Sequence, residues 1–154
     1  MVQFQFENLS ERDVCRFAAA LHGILPTPMT VVLTGTLGAG KTRFVQAFSE
    51  PAGIDPSEVT SPTFVICQHY EGNCRVHHVD AYRLQSTEEF VALGGLELME
   101  DDAVLFIEWG ERLSELLPEQ RLEIRFTIPD PAQRTLTCVG YGKGWEELFR
   151  KLEW

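Results

Sequence analysis

Residues 2–6 alternate Val, Gln, Phe, Gln and Phe, which predicts a short strand with one buried face. Ser10 follows as an N-cap with Asp13 three residues on. Val14, Phe17, Ala18 and Leu21 recur at helical spacing up to Gly23. After the loop at Pro26 and Pro28, the β-branched run Thr30–Thr34 predicts a buried strand, and residues 41–49 a helix closed by Pro51-Ala52-Gly53. Residues 64–70 and 74–80 read as two strands around Gly72. Ser86-Thr87-Glu88-Glu89 opens a helix that stops at Gly94-Gly95. The most apolar run, Ala103–Ile107, predicts a central strand, and residues 111–117 a helix ending at Pro118. Residues 121–128 and 134–139 are two late strands, and Trp145, Leu148, Phe149 and Leu152 form one stripe of a final helix. Strands alternating with helices predict an α/β fold. At 154 residues, with no linker or repeat, residues 1–154 are expected to form a single domain.

The strand at 30–34 runs into Gly35-Thr36-Leu37-Gly38-Ala39-Gly40-Lys41-Thr42, the pattern G-x-x-x-x-G-K-T of a phosphate-binding loop. Backbone N–H groups of such a tight turn point inward at phosphate oxygens, and the positive end of the next helix faces the same anion. Lys41 brings a charge to the β and γ phosphates, and the Thr42 hydroxyl is a ligand for Mg2+. A second acid is needed for the magnesium shell. Glu108 ends the apolar run 103–107, so it emerges at the carboxyl edge of a core strand, where open α/β sheets bind ligands. Asp80 is its rival, ending the strand in His78-Val79-Asp80-Ala81-Tyr82-Arg83. Alternation puts His78, Asp80 and Tyr82 on one face. Thr60-Ser61-Pro62-Thr63-Phe64 offers hydroxyls that could sense a γ-phosphate, as GTPase switches do. No N-K-x-D stretch exists to read guanine, which points to ATP.

Charge changes the expected partners. Thirteen basic residues against 23 acidic ones give a net charge of -10, so no broad basic face is expected and no stable direct binding of nucleic acid. No apolar run approaches a membrane span, and the N-terminal residues carry neither a basic start nor an apolar signal core. A cytoplasmic location is therefore expected. Cys67, His69, Cys74, His77 and His78 lie close in sequence, but their spacing matches no familiar zinc finger and the segment reads as a hairpin.

G-x-L-G-A-G-K-T, then S-P-T-F, then H-x-D-x-Y-R-L, then I-E-W, in this order and in a chain this short, resembles the TsaE (YjeE) family over about residues 9–140. That resemblance implies a P-loop NTPase fold: a mixed, mostly parallel central sheet flanked by helices, with antiparallel hairpin additions. It implies a weak, Mg2+-dependent ATPase that serves N6-threonylcarbamoyladenosine formation at position 37 of tRNAs reading codons that start with A. Such a subunit acts with a TsaB–TsaD-type complex and is not itself the transferase. Carried onto this sequence, the catalytic set is Lys41, Thr63, Asp80 and Glu108, with Thr42 and Glu108 at the magnesium positions. The nucleotide-binding set is Gly35, Leu37, Gly38, Ala39, Gly40, Lys41, Thr42 and Arg43, with an adenine pocket near Ser10, Glu11 and Arg134. Ser61, Pro62, Thr63 and Phe64 match a switch-like loop, and Trp109 a tryptophan beside the site. Thr36 stands where an acid is common, and Arg43 where a second threonine is common.

Two other readings of the residues remain. A small-molecule P-loop kinase would carry an Arg-rich lid, but Arg112, Arg121, Arg125 and Arg134 are scattered and no acceptor-binding insertion is visible. A metal-dependent interaction module would rest on the cluster at 67–78.

Overall fold

The computed structural model describes residues 1–60 and 66–154. Its strands are β1 (Val2–Leu9), β2 (Met29–Thr34), β3 (Cys67–Tyr70), β4 (Val76–Asp80), β5 (Val104–Glu108), β6 (Arg121–Asp130) and β7 (Gln133–Tyr141). Its helices are α1 (Glu11–His22), α2 (Lys41–Ser49), α3 (Thr87–Ala92), α4 (Gly95–Glu100) and α5 (Trp145–Arg150). The strands form one mixed sheet in the order β1-β7-β6-β2-β5-β4-β3. The four strands β6, β2, β5 and β4 pair parallel. The pairings β1–β7, β7–β6 and β4–β3 are antiparallel and lie toward the two edges.

Burial explains which strands sit in the middle. Every residue of β5 is buried, and β2 is buried up to Leu33. Such runs suit parallel strands covered on both faces. On one face, Val31, Leu33, Val104 and Phe106 meet α1 and α2. The Phe106 ring lies edge-on to Phe48, with centroids 4.9 Å apart. On the other, Val79, Leu105 and Ile107 pack against Phe90 of α3 and Leu98 of α4. The first of these clusters continues over the long β6–β7 hairpin and β1, where Phe4 stacks on Phe149 of α5 at 4.2 Å.

Local signals set the ends. Ser10 accepts a hydrogen bond from Asp13 N at 3.1 Å, and Asp13 accepts one from Ser10 N at 2.9 Å, a complete capping box for α1. Ser86 caps α3 through Glu89 N. Three expectations change. The strand predicted at 2–6 continues to Leu9 because β7 offers partners as far as Arg134. The helix predicted over 111–117 is a 3₁₀ turn at Gly110–Leu113. The helix opened by Ser86 does stop before Gly94-Gly95, but these glycines also open a further helix, α4. Gly94 has φ +84° at the N-cap of α4, and a Cβ on Gly95 would collide with the Phe90 ring.

Candidate functional site

The end of β2 delivers the chain into the loop 35–40. Gly35, at φ +143°, passes so close to β6 that a Cβ there would stand 2.8 Å from the Phe126 carbonyl oxygen. Gly40, at φ +107°, turns the chain into α2. This loop lies at the carboxyl edge of the parallel strands. β2 has β5 as a neighbour, and β5 has β4, so Glu108 and Asp80 end adjacent strands as register partners. Thr42, on the first turn of α2, reaches the same edge: its Oγ1 is 3.4 Å from Glu108 Oε1.

A cavity of about 570 Å³ opens here, lined among others by Lys41, Thr42, Asp80, Arg83, Glu108 and Trp109. Lys41 is buried. Its Nζ donates to the Gly35 carbonyl at 2.5 Å and lies 3.9 Å from the centre of the Trp109 ring. Burial pulls the Lys41 ammonium below the ordinary lysine value, opposed by the charges of Glu108, Glu111 and Asp80. Burial pushes the Asp80 carboxyl above the ordinary aspartate value. A hydrogen bond from Tyr82 N at 3.0 Å works against that rise, and Glu108 adds to it. Trp109 sits at φ +60° with its N–H bonded to the Leu33 carbonyl at 3.0 Å, so the ring is aimed over the loop by a left-handed backbone.

A smaller cleft of about 180 Å³ adjoins the loop, lined by Glu11, Val14, Gly38, Ala39, Gly40, Arg43 and Arg134. Arg134 reaches across to donate to the Ala39 carbonyl at 3.3 Å. Of the residues expected around an adenine, Glu11 and Arg134 therefore meet at one cleft, with Arg43 facing both spaces. Ser10 does not line that cleft, because its hydroxyl is spent on the cap of α1. Leu37 lines the larger cavity and is otherwise exposed. Ser61, Pro62, Thr63 and Phe64 lie outside the described residues.

The structure adds three groups to those expected. Tyr82 and Arg83 line the larger cavity from the 3₁₀ turn that Asp80 caps. Their signal was present in the H-x-D-x-Y-R-L run. His78, fully buried, donates from Nε2 to Glu108 Oε2 at 2.9 Å. Nothing in the sequence links residues 78 and 108, because their contact depends on β4 and β5 being neighbours.

The donor set fits Mg2+. The Thr42 hydroxyl and the carboxylates of Glu108 and Asp80 are hard oxygen ligands, and Mg2+ takes few of these from protein because it shares its shell with water and phosphate. Among the described residues no three His, Cys, Asp or Glu side chains form a metal-holding group. In the cluster at 67–78, His69 and His77 share a hydrogen bond between their Nδ1 atoms at 2.7 Å, and His77 donates from Nε2 to Asp101 at 2.7 Å. Burial pushes the Cys67 thiol up to about 11. Of the four scattered arginines, Arg134 alone lines the cleft beside the loop. Arg121 pairs with Glu123 at 2.8 Å and stacks on Tyr141, and Arg112 donates to the Tyr82 carbonyl. Among the described residues no helix is long and apolar enough to cross a membrane.

Residues 9–136 match the family described as Threonylcarbamoyl adenosine biosynthesis protein TsaE. The tRNA threonylcarbamoyladenosine biosynthesis protein TsaE of Treponema pallidum is 38% identical over 130 residues, covering 84% of this chain and 96% of that one. The protein of the same name from Bacillus subtilis is 35% identical over 153 residues, covering 99% and 95%. The crystal structure of Bacillus subtilis YdiB superposes with a TM-score of 0.78 at 26% identity, covering 98% of this chain and 94% of that one. Matched along most of its length in sequence and in fold, the chain belongs to the TsaE family.

Proposed function

We propose that the chain is a Mg2+-dependent ATPase that serves threonylcarbamoyladenosine formation on tRNA, together with a TsaB–TsaD-type complex. The observation that carries this reading is the convergence of Lys41, Thr42, Asp80 and Glu108 on one cavity at the mouth of the loop 35–40. The function for which the family is described supplies the pathway. Partners that hold the tRNA would also account for a net charge of -10 on this subunit.

The loop's N–H groups and the start of α2 cradle the phosphates of ATP. Lys41 leaves the Gly35 carbonyl for the β and γ phosphates, an exchange of one oxygen acceptor for charged ones. Thr42 and Glu108 would hold Mg2+, which would supply positive charge against the phosphates. Asp80, at the end of the neighbouring strand, holds a water in line with the γ-phosphorus. The bond from that phosphorus to the β–γ bridging oxygen breaks, ADP leaves, and the water's oxygen and protons end on inorganic phosphate and solvent. Most of the rate comes from positioning and electrostatics, so weak turnover is expected until a partner completes the site.

The test is ATP hydrolysis with and without a TsaB–TsaD pair, together with partner binding in ADP and in a non-hydrolysable ATP analogue. We expect coupling of about 1–3 kcal/mol between nucleotide state and partner affinity. Identical partner affinities in both nucleotides, with turnover indifferent to the pair, would sink the partnership. Absence of Mg2+-dependent nucleotide binding would sink the site.

A further inference from the structure

His78 stands inside the fold with no exposed surface, on the face of β4 that looks toward α2. An aliphatic residue would fill that position at less desolvation cost, as Val76 does two residues earlier on the same face. Its Nδ1 has no hydrogen-bond partner among the described residues, so the 2.9 Å bond from Nε2 to Glu108 Oε2 is the polar contact that fixes the ring. Glu108 is itself buried, and its other oxygen, Oε1, is the one 3.4 Å from Thr42 Oγ1. A carboxylate pinned through one oxygen presents the second in a fixed direction. Without that tether, Glu108 would be free to turn away from its register partner Asp80, a like charge at the end of the next strand.

We propose that His78 is a positioning residue for the cation shell: it holds Oε2 of Glu108 so that Oε1 stays beside Thr42 and faces the cavity. This inference rests on the reading of the cavity as a Mg2+–nucleotide site. Outer partners of ligating groups commonly govern metal affinity by 10–100-fold, by orienting the ligand rather than by touching the ion. His78 therefore sets how much Mg2+ the site needs, and it leaves phosphate recognition by the loop untouched.

The test is calorimetric binding of ADP to the full chain, in EDTA and across a Mg2+ titration. In His78→Leu the Mg2+ midpoint should rise by about tenfold or more, while ADP affinity in EDTA stays at the wild-type value. His78→Gln keeps an N–H donor at the reach of Nε2 and should return the midpoint to wild type. In a Glu108→Ala background, His78→Leu should add no further shift. If His78→Leu does not fold, His78→Asn, whose amide is one methylene shorter than that of Gln, takes its place with the same expectations. An unchanged midpoint, a loss of ADP affinity in EDTA equal to the loss in Mg2+, or no rescue by Gln would each overturn the role of His78. A wild-type chain whose ADP affinity ignores Mg2+ would instead overturn the reading of the site itself.

Discussion

β4 carries two adjacent histidines to opposite faces of the sheet, and each finds a carboxylate. His78 meets Glu108 toward the carboxyl edge, at 2.9 Å, with side-chain exposures of 0% and 5%. His77 meets Asp101 toward the amino edge, at 2.7 Å, but Asp101 is 36% exposed and also pairs with Arg75 at 3.2 Å. The chemistry is the same and the shorter bond is the more exposed one. Water can replace a partner at the amino edge, whereas at the carboxyl edge a lost partner leaves a buried group with nothing to bond. Distance does not separate a functional pair from a structural one here. Burial beside a cavity does.

The comparison can be broken most forcefully at the carboxyl edge. Lys41→Ala removes the charge offered to the phosphates and should weaken ADP and ATP binding by about 10–100-fold, as read by calorimetry. Equal affinity in the variant would mean that Lys41, held by Gly35 and Trp109, never turns to the nucleotide. Glu108→Ala removes the partner of His78 and should lower stability by about 1–3 kcal/mol in a urea melt, besides raising the Mg2+ required for turnover. A variant as stable as wild type would erase the distinction between the two faces.

Asp80→Asn probes the same edge in the opposite direction. The half-buried Asp80 carboxyl has its pKa raised, so its contribution to stability is present below the ordinary aspartate value and is lost as pH rises through the raised one. At pH 7 its charge works against the fold. The Asn variant keeps the acceptor for Tyr82 N. It should melt about 1–3 °C higher at pH 7, turn over ATP more slowly, and lose its thermal advantage near pH 3, where the wild-type carboxyl is also neutral. A lower melting temperature at pH 7 would show that the Asp80 charge is stabilised by its neighbours. The smallest effect belongs to the amino edge. Asp101→Asn should leave both nucleotide affinity and the urea midpoint within error of wild type, because Asp101 is partly exposed and the amide oxygen of Asn still accepts from His77.

These contrasts also measure how much was legible beforehand. The loop 35–42 and the strand before it were legible because their signal is local: a β-branched run, glycines at fixed spacing and a lysine. Glu108 was legible because an acid at the end of an apolar run has few places to go but the sheet edge. The helix Gly95–Glu100 was hidden because glycine reads as a stop. Gly95 serves instead to let α4 approach the Phe90 ring. The 3₁₀ turn at Gly110–Leu113 was overcalled as a helix, since helical spacing alone does not reveal that only four residues are wound. His78 was placed on the right face, yet its bond to Glu108 requires knowing that β4 lies beside β5, and strand order is a property of the whole chain. Ser10, expected near the adenine, is seen capping α1 and does not line the cleft that Glu11 and Arg134 share.

The position of β1 has a consequence for how the chain reaches its fold. Phe4 pairs with Cys138, and Val2 with Gly140, so the first strand is completed by a segment far along the sequence. Contacts of such sequence separation slow the search for the native state. A nascent chain carrying the loop 35–42 and even Glu108 would still hold Phe4 and Phe6 of β1 without β7, with an open strand edge in a crowded cell. The parallel strands find their partners within residues 29–125, whereas β1 finds its partner only in β7. Refolding should accordingly proceed in two steps, the aromatic cluster around Phe4, Phe6 and Phe149 ordering last, and the interval between them is when aggregation competes with folding.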